Sequence, residues 1–153
     1  MTVLSKLPAF AIYAAIGAAA LGLPPAAAAE AGSPLGYWLT ESGKGVIEVT
    51  SCNHVLCGRI VGIGRAPDEP IPTDVQGRSQ CGLTIFEAEA PAADGVWPGS
   101  ITDPRDGSTY GAELWMDRED RLNIRGYLGI PLLGHTQTWT RYAGRLSEGC
   151  RLG

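Results

Sequence analysis

The chain has little of what most often carries chemistry. It holds two histidines, His54 and His135, far apart in sequence and each alone. A catalytic dyad needs a nucleophile beside such a group. Ser42, Ser51, Ser79, Ser100, Ser108 and Ser147 fall in expected turns or at strand ends, and no G-x-S-x-G is present. Glu48, Glu87 and Glu113 lie on expected strands, but no spacing selects two of them as a working carboxylate pair. A redox C-x-x-C is absent. Asp103, Asp106 and Thr109 do not match the acid spacing of a calcium loop, and a hairpin turn accounts for them. The expectation is therefore no catalytic residue, no metal site, no cofactor and no enzyme activity. Helical periodicity is also lacking: past the N-terminal stretch no window carries an apolar stripe every 3.6 residues.

The one long apolar run is N-terminal. Met1 to about Ala29 has a single early cation, Lys6, and no acid. The run from Ala9 ends near Leu23, and Pro24-Pro25 and Ala26 to Ala29 follow. A charged start, an apolar middle and a small-residue A-x-A end read as a secretory signal peptide spanning 1–29. A membrane anchor is the alternative. A span wants roughly 18 or more apolar residues, whereas this run is rich in Ala and Gly, has Pro8 near its start and ends like a cleavage site. No Cys stands at the cleavage point to take a lipid. Residues 30–153 then form one exported domain, periplasmic or extracellular, with no membrane span. Losing 1–29 leaves 124 residues, with 11 cations against 16 acids, a balance of −5. A mildly acidic domain is a poor partner for phosphate backbones, so no nucleic acid is expected.

All four cysteines, Cys52, Cys57, Cys81 and Cys150, follow the leader. An even count behind an export signal implies two disulfides. The four residues between Cys52 and Cys57 suit a hairpin loop. The expected pairing is Cys52–Cys57, leaving Cys81–Cys150 to tie the C-terminal tail to mid-chain. C-x4-C with two distant cysteines is not a zinc spacing.

Eight strands follow from β-branched and alternating runs punctuated by turn residues. They are expected at 36–40, 46–50, 56–63, 82–87, 96–101, 108–116, 121–128 and 133–142. Between the third and fourth, Gly64 to Cys81 holds Pro67, Pro70 and Pro72 with Asp68, Glu69 and Asp74, and reads as a long surface loop. Pro98 predicts an edge or a bulge in the fifth strand. The fold expectation is a single all-β antiparallel barrel of about eight strands, with room for side chains or one small ligand.

Together, Gly36-Tyr37-Trp38-Leu39-Thr40, Gly43-Lys44-Gly45-Val46-Ile47, Leu56-Cys57-Gly58-Arg59-Ile60, Asp103-Pro104 with Asp106-Gly107 and Tyr110, Arg125-Gly126-Tyr127-Leu128-Gly129 and Thr138-Trp139-Thr140-Arg141 resemble the bacterial domain of unknown function 2147. The resemblance covers nearly the whole chain past the leader. It implies a secreted bacterial protein with a lipocalin-like or fatty-acid-binding-protein-like barrel, and it carries over no functional residue. Where that family usually has Asp-x-x-Asn-Pro, this chain has Asp74-Val75-Gln76-Gly77.

The stretch from Ile124 to Arg141 gathers the candidate site. Gly36-x-Trp38 with a late Arg141 is similar to the lipocalin device in which an early Trp packs under an Arg and closes one barrel end. A Trp face attracts a guanidinium by about 0.5–2 kcal/mol. Along the last strand His135, Gln137, Trp139 and Arg141 share a face. If the polar-aromatic faces point inward, Arg125, Tyr127, Gln137 and Trp139 are the ligand-binding candidates. An Arg fork would then grip a carboxylate in two hydrogen bonds. The opposite assignment puts Leu122, Ile124 and Leu128 in the core and Arg125 in solvent, and apolar patterning favours it. Two functions follow. The first is non-catalytic binding of a small, partly apolar, fatty-acid-like or other carboxylate ligand, marked by a cavity. The second is an envelope interaction module, marked by a barrel packed shut by Trp38, Trp115 and Trp139 with an exposed apolar patch or a prominent loop at 64–81.

Overall fold

The structure is a computed structural model that describes residues 32–153; the expected leader 1–29 lies outside the described residues. Eight strands make the barrel: β1 (Gly36–Leu39), β2 (Gly45–Cys52), β3 (Val55–Ile63), β4 (Thr84–Ala88), β5 (Trp97–Thr102), β6 (Thr109–Arg118), β7 (Arg121–Tyr127) and β8 (His135–Arg141). Each pairs antiparallel with the next, and β8 returns to β1 through Trp38↔Arg141 and Leu39↔Thr140. This is a closed up-and-down barrel, an arrangement that removes every sheet edge. Among the described residues there is no α-helix, only single 3₁₀ turns at Pro131–Leu133 and Glu148–Cys150.

The sequence expectation met its limit at the C-terminus. A hairpin of β9 (Leu146–Ser147) and β10 (Arg151–Leu152) follows the barrel, and Arg151 pairs parallel with Ile63 of β3. Two-residue strands carry no periodicity to read. The hairpin has a clear role. The register shift between Val46 and Ile47 places Gly62 opposite Val46. A Cβ at Gly62 would lie 2.7–2.9 Å from Leu152, Leu146 and Val46. The leucines therefore lie against the bare backbone of Gly62, and Val46 is fully buried apart from the main core.

Pro98 needs neither edge nor bulge. Its strand sits between β4 and β6 in unbroken register. Its carbonyl accepts from Glu89 N–H just past the end of β4. The missing proline donor points the same way, where the β4 ladder has already stopped.

Both disulfides form as expected, Cys52–Cys57 and Cys81–Cys150. The first spans a two-residue turn, Asn53-His54, with φ of 47° and 70°. Both residues are left-handed, as in the tight hairpin turn whose twist matches its strands. The second holds the C-terminal hairpin to the end of the long loop.

Alternation sends one face of every strand inward. Trp38, Ile47, Val49, Ile60, Phe86, Ala112, Leu114, Leu122, Ile124 and Trp139 fill the interior. Phe86 and Trp139 meet with centroids 6.2 Å apart. Gly58 makes this possible: it pairs with Phe86, and a Cβ there would lie 1.9 Å from the phenyl ring.

Candidate functional site

Strand direction gives the barrel two different ends. One carries residues 33–35 and the turns after β2, β4 and β6. The other, the mouth, carries the turns after β1, β5 and β7 and the long loop 64–83.

The first end is closed. Trp38 is fully buried and donates from Nε1 to the Pro34 carbonyl at 2.7 Å. The Arg141 guanidinium carbon lies 3.9 Å from the Trp38 ring centroid. The same guanidinium donates to the carbonyls of Leu35, Ser33 and Glu119. Arg141 thus binds the incoming chain, the β6–β7 turn and the indole at once. Burial lowers its pKa, yet an arginine stays charged.

The mouth holds a cavity of about 420 Å³. Ile85, Ile101, Ile124 and Trp139 give it apolar walls, and Tyr110, His135, Gln137 and the Asp103–Arg105 pair give it polar ones. The alternation explains who lines it. Ile101 pairs with Tyr110, Ile124 with Gln137, and Gly126 with His135, all on the inward face. A Cβ on Gly126 would sit 3.7 Å from Ile101 and 4.0 Å from Tyr110, at ordinary contact distance, so the position borders the cavity without crowding it. Gln137 accepts from the Trp139 indole N–H at 3.1 Å and orients it.

The turn after β5 forms the charged rim. Asp103 takes the Arg105 guanidinium through both oxygens and also accepts the Arg105 N–H. The guanidinium bonds hold the Asp103 carboxyl below the usual carboxylate range, against a smaller opposing effect of burial. The rim therefore offers both signs of charge side by side, already paired.

A second cavity, about 280 Å³, adjoins the first and shares Ile85, Thr102 and Pro104. Its other wall is the long loop, at Asp74 to Arg78. Asp74 is buried. Burial by itself would raise its pKa, but bonds from the Arg78 and Gln76 backbone N–H groups and the Arg78 guanidinium outweigh it and hold the pKa low. Gly77 completes the turn at φ 76°, where a Cβ is disfavoured. Asp74 organises the loop that walls this second cavity.

The expected ligand residues part company. Gln137 and Trp139 line the mouth. Arg125 and Tyr127 do not: each stands one residue out of phase, on the outer face. Arg125 donates to the carbonyls of Pro131 and Leu132 and to Thr136 Oγ1. Tyr127 covers the bare backbone of Gly111 and Gly134. The ligand-binding assignment of Arg125 and Tyr127, which needed the polar-aromatic face inward, is corrected accordingly: the assignment that apolar patterning favoured holds for Leu122 and Ile124, whose side chains gain more from the core. Leu128, expected inward with them, is exposed past the strand end. Trp115 pairs with Asn123 on the outer face and does not fill the barrel. Tyr110, Ile101, Ile85 and Arg105 were missed as lining residues. Register across β5 and β6 places them, and a linear pattern contains no register.

Other groups stay apart. His54 sits in the β2–β3 turn and His135 at the mouth, on opposite barrel ends. Glu48 pairs with Arg59 outside the barrel at 2.6 Å. Among the described residues no three His, Cys, Asp or Glu side chains cluster as metal ligands, and no helix is long and apolar enough to cross a membrane.

Comparison with protein families matches residues 36–141 to the model described as an uncharacterized protein conserved in bacteria, DUF2147. Neither the curated proteins nor the solved structures contain a match.

Proposed function

The chain belongs to the DUF2147 family of bacterial proteins, and on that premise we propose that it is an exported, non-catalytic binding protein whose barrel mouth takes one small, partly apolar molecule. The observation that carries this reading is the cavity of about 420 Å³, apolar on its isoleucine and tryptophan walls and polar at its rim. Ligand pockets of small molecules run at about 300–1,000 Å³ with that division of labour. A fatty-acid-like ligand would lay its tail on Ile85, Ile101, Ile124 and Trp139. Its polar end would meet Tyr110, His135, Gln137 and the Asp103–Arg105 pair. Phe86 and Trp139 fill the barrel below, which favours a short chain or a ring over a long buried chain. Export is supported by the N-terminal pattern and by two disulfides, which persist in oxidising compartments.

A second reading, an envelope interaction module with no ligand, draws on the filled lower barrel. One experiment separates the two. The purified protein is titrated with anilinonaphthalene sulfonate, and decanoate and decanol are then tested as displacers. Native mass spectrometry is run on protein from a secreting host. Saturable displacement or a retained small molecule supports the carrier. No displacement together with a clean apo mass sinks it and favours the module.

A further inference from the structure

The loop between β7 and β8 carries four large aliphatic side chains out into solvent. Leu128 is 68 % exposed, Ile130 53 %, Leu132 81 % and Leu133 77 %. Soluble proteins scatter such residues singly; contiguous ones mark a contact surface. These four fall within six consecutive positions, with only Gly129 and Pro131 between them.

The loop is held, not loose. Arg125 ties down the carbonyls of Pro131 and Leu132. Leu133 N–H returns to Ile130 O, and Gly134 N–H to Pro131 O. The main-chain groups are thereby turned inward on one another, and the aliphatic side chains are what remains outside. Keeping four leucine-type side chains fixed in water is costly, and the bonds that fix them are spent on presentation.

We propose that this loop is a docking tip for a neutral lipid surface. Three observations choose that occupant. Residues 128–133 contain no Tyr, Trp or Arg, the anchors on which a specific protein partner draws. It carries no charge of its own, and from Arg121 to Ser147 the chain has no Asp or Glu, against 16 acids in all. At the neighbouring rim, Asp103 is paired with Arg105. The foot of the tip suits the headgroup zone. Tyr127 and Arg125 flank it, each with an apolar body and a polar end. Aliphatic side chains of such a tip sink about 5–10 Å into the boundary between headgroups and acyl chains. Gly126 and His135, which bracket the loop, line the mouth cavity, so docking would set the mouth against the lipid. The surface stands on the loop alone and holds whether or not the cavity takes a ligand.

The test is flotation of the purified protein with phosphatidylcholine vesicles, beside Leu132→Asp/Leu133→Asp on the same chain, so that anything N-terminal cancels. The wild type should float, and the variant should lose about tenfold or more of its partitioning, since each leucine removes a substantial apolar transfer. Thermal melting of the variant should match wild type, because both side chains lie outside the core. Leu132→Trp should show an emission blue shift and quenching by brominated lipid. Equal partitioning of wild type and variant overturns the proposal. So does a wild-type dimer that the variant abolishes with no vesicle binding by either, which would make the patch a contact between copies. Failure here leaves the displacement titration untouched, and failure there leaves flotation untouched.

Discussion

Arg141 does at one position what a longer device does elsewhere. Its guanidinium covers Trp38 and donates to three carbonyls from two separate segments. The cation–π contact is worth about 0.5–2 kcal/mol, and bonds from a charged donor add more. Arg141→Ala should therefore lower stability by about 1–3 kcal/mol in chemical denaturation, with mouth binding unchanged. A stable variant that loses only binding would show that the closed end and the mouth are coupled. Asp74 works the same way inside the long loop. Its folded pKa is depressed, so its stabilising bonds are present above the unfolded carboxylate value, about 4, and are lost as pH falls through the folded value. Asp74→Asn lacks that component. Melting temperatures of the two proteins should differ near neutrality and converge below about pH 4. A gap that stays constant to low pH would mean that Asp74 acts through shape alone.

Among the elements, the two disulfides differ in what they constrain. Cys52–Cys57 closes a sequence separation of 5 within one hairpin, and Cys81–Cys150 closes 69. Loop-closure entropy puts the first at about 2 kcal/mol and the second at about 4. Paired Ser substitutions should follow that order in urea denaturation, and the Cys52/Cys57 variant should keep its fold. The Cys81/Cys150 variant should also free the C-terminal hairpin, exposing Val46 and raising amide exchange along β3 from Ile60 to Ile63. Equal losses from both pairs would argue that native packing, and not chain entropy, sets their value. Strand β5 teaches a smaller lesson. Pro98 is tolerated inside a closed barrel because β4 is one residue too short to want its donor.

On the scale of the molecule, the barrel is divided along its axis. One half is solid with Trp38, Phe86, Leu114, Leu122 and Trp139, and the other opens at a rim of mixed polarity. This division permits a variant that separates stability from binding. Gly126→Leu would project into the mouth, where a Cβ meets only ordinary contacts. Binding of anilinonaphthalene sulfonate should fall at least tenfold, while stability shifts by no more than about 1 kcal/mol. Retained binding in a fully folded variant would move the site away from the mouth.

Much of this was decided by local pattern. Period-two alternation and turn residues located all eight barrel strands, because half-burial of a strand writes itself on its own sequence. Cysteine parity and a short C-x4-C spacing led to both bridges, and Trp38 and Arg141 stood at the two strands that close the barrel. What tertiary structure alone decided is phase and register. Arg125 and Ile124 are neighbours, and a shift of one residue exchanges core for solvent. Apolar patterning leaned toward Ile124 inside and Arg125 outside, and closure against β6 and β8 fixed that phase and brought Gln137 inward beside Ile124. The mouth itself is assembled from β4, β5, β6, β7 and β8 by strand pairings separated widely in sequence. No single stretch of the chain contains the information that Tyr110 and His135 share a cavity. That follows from hydrogen-bond register, which exists only between strands.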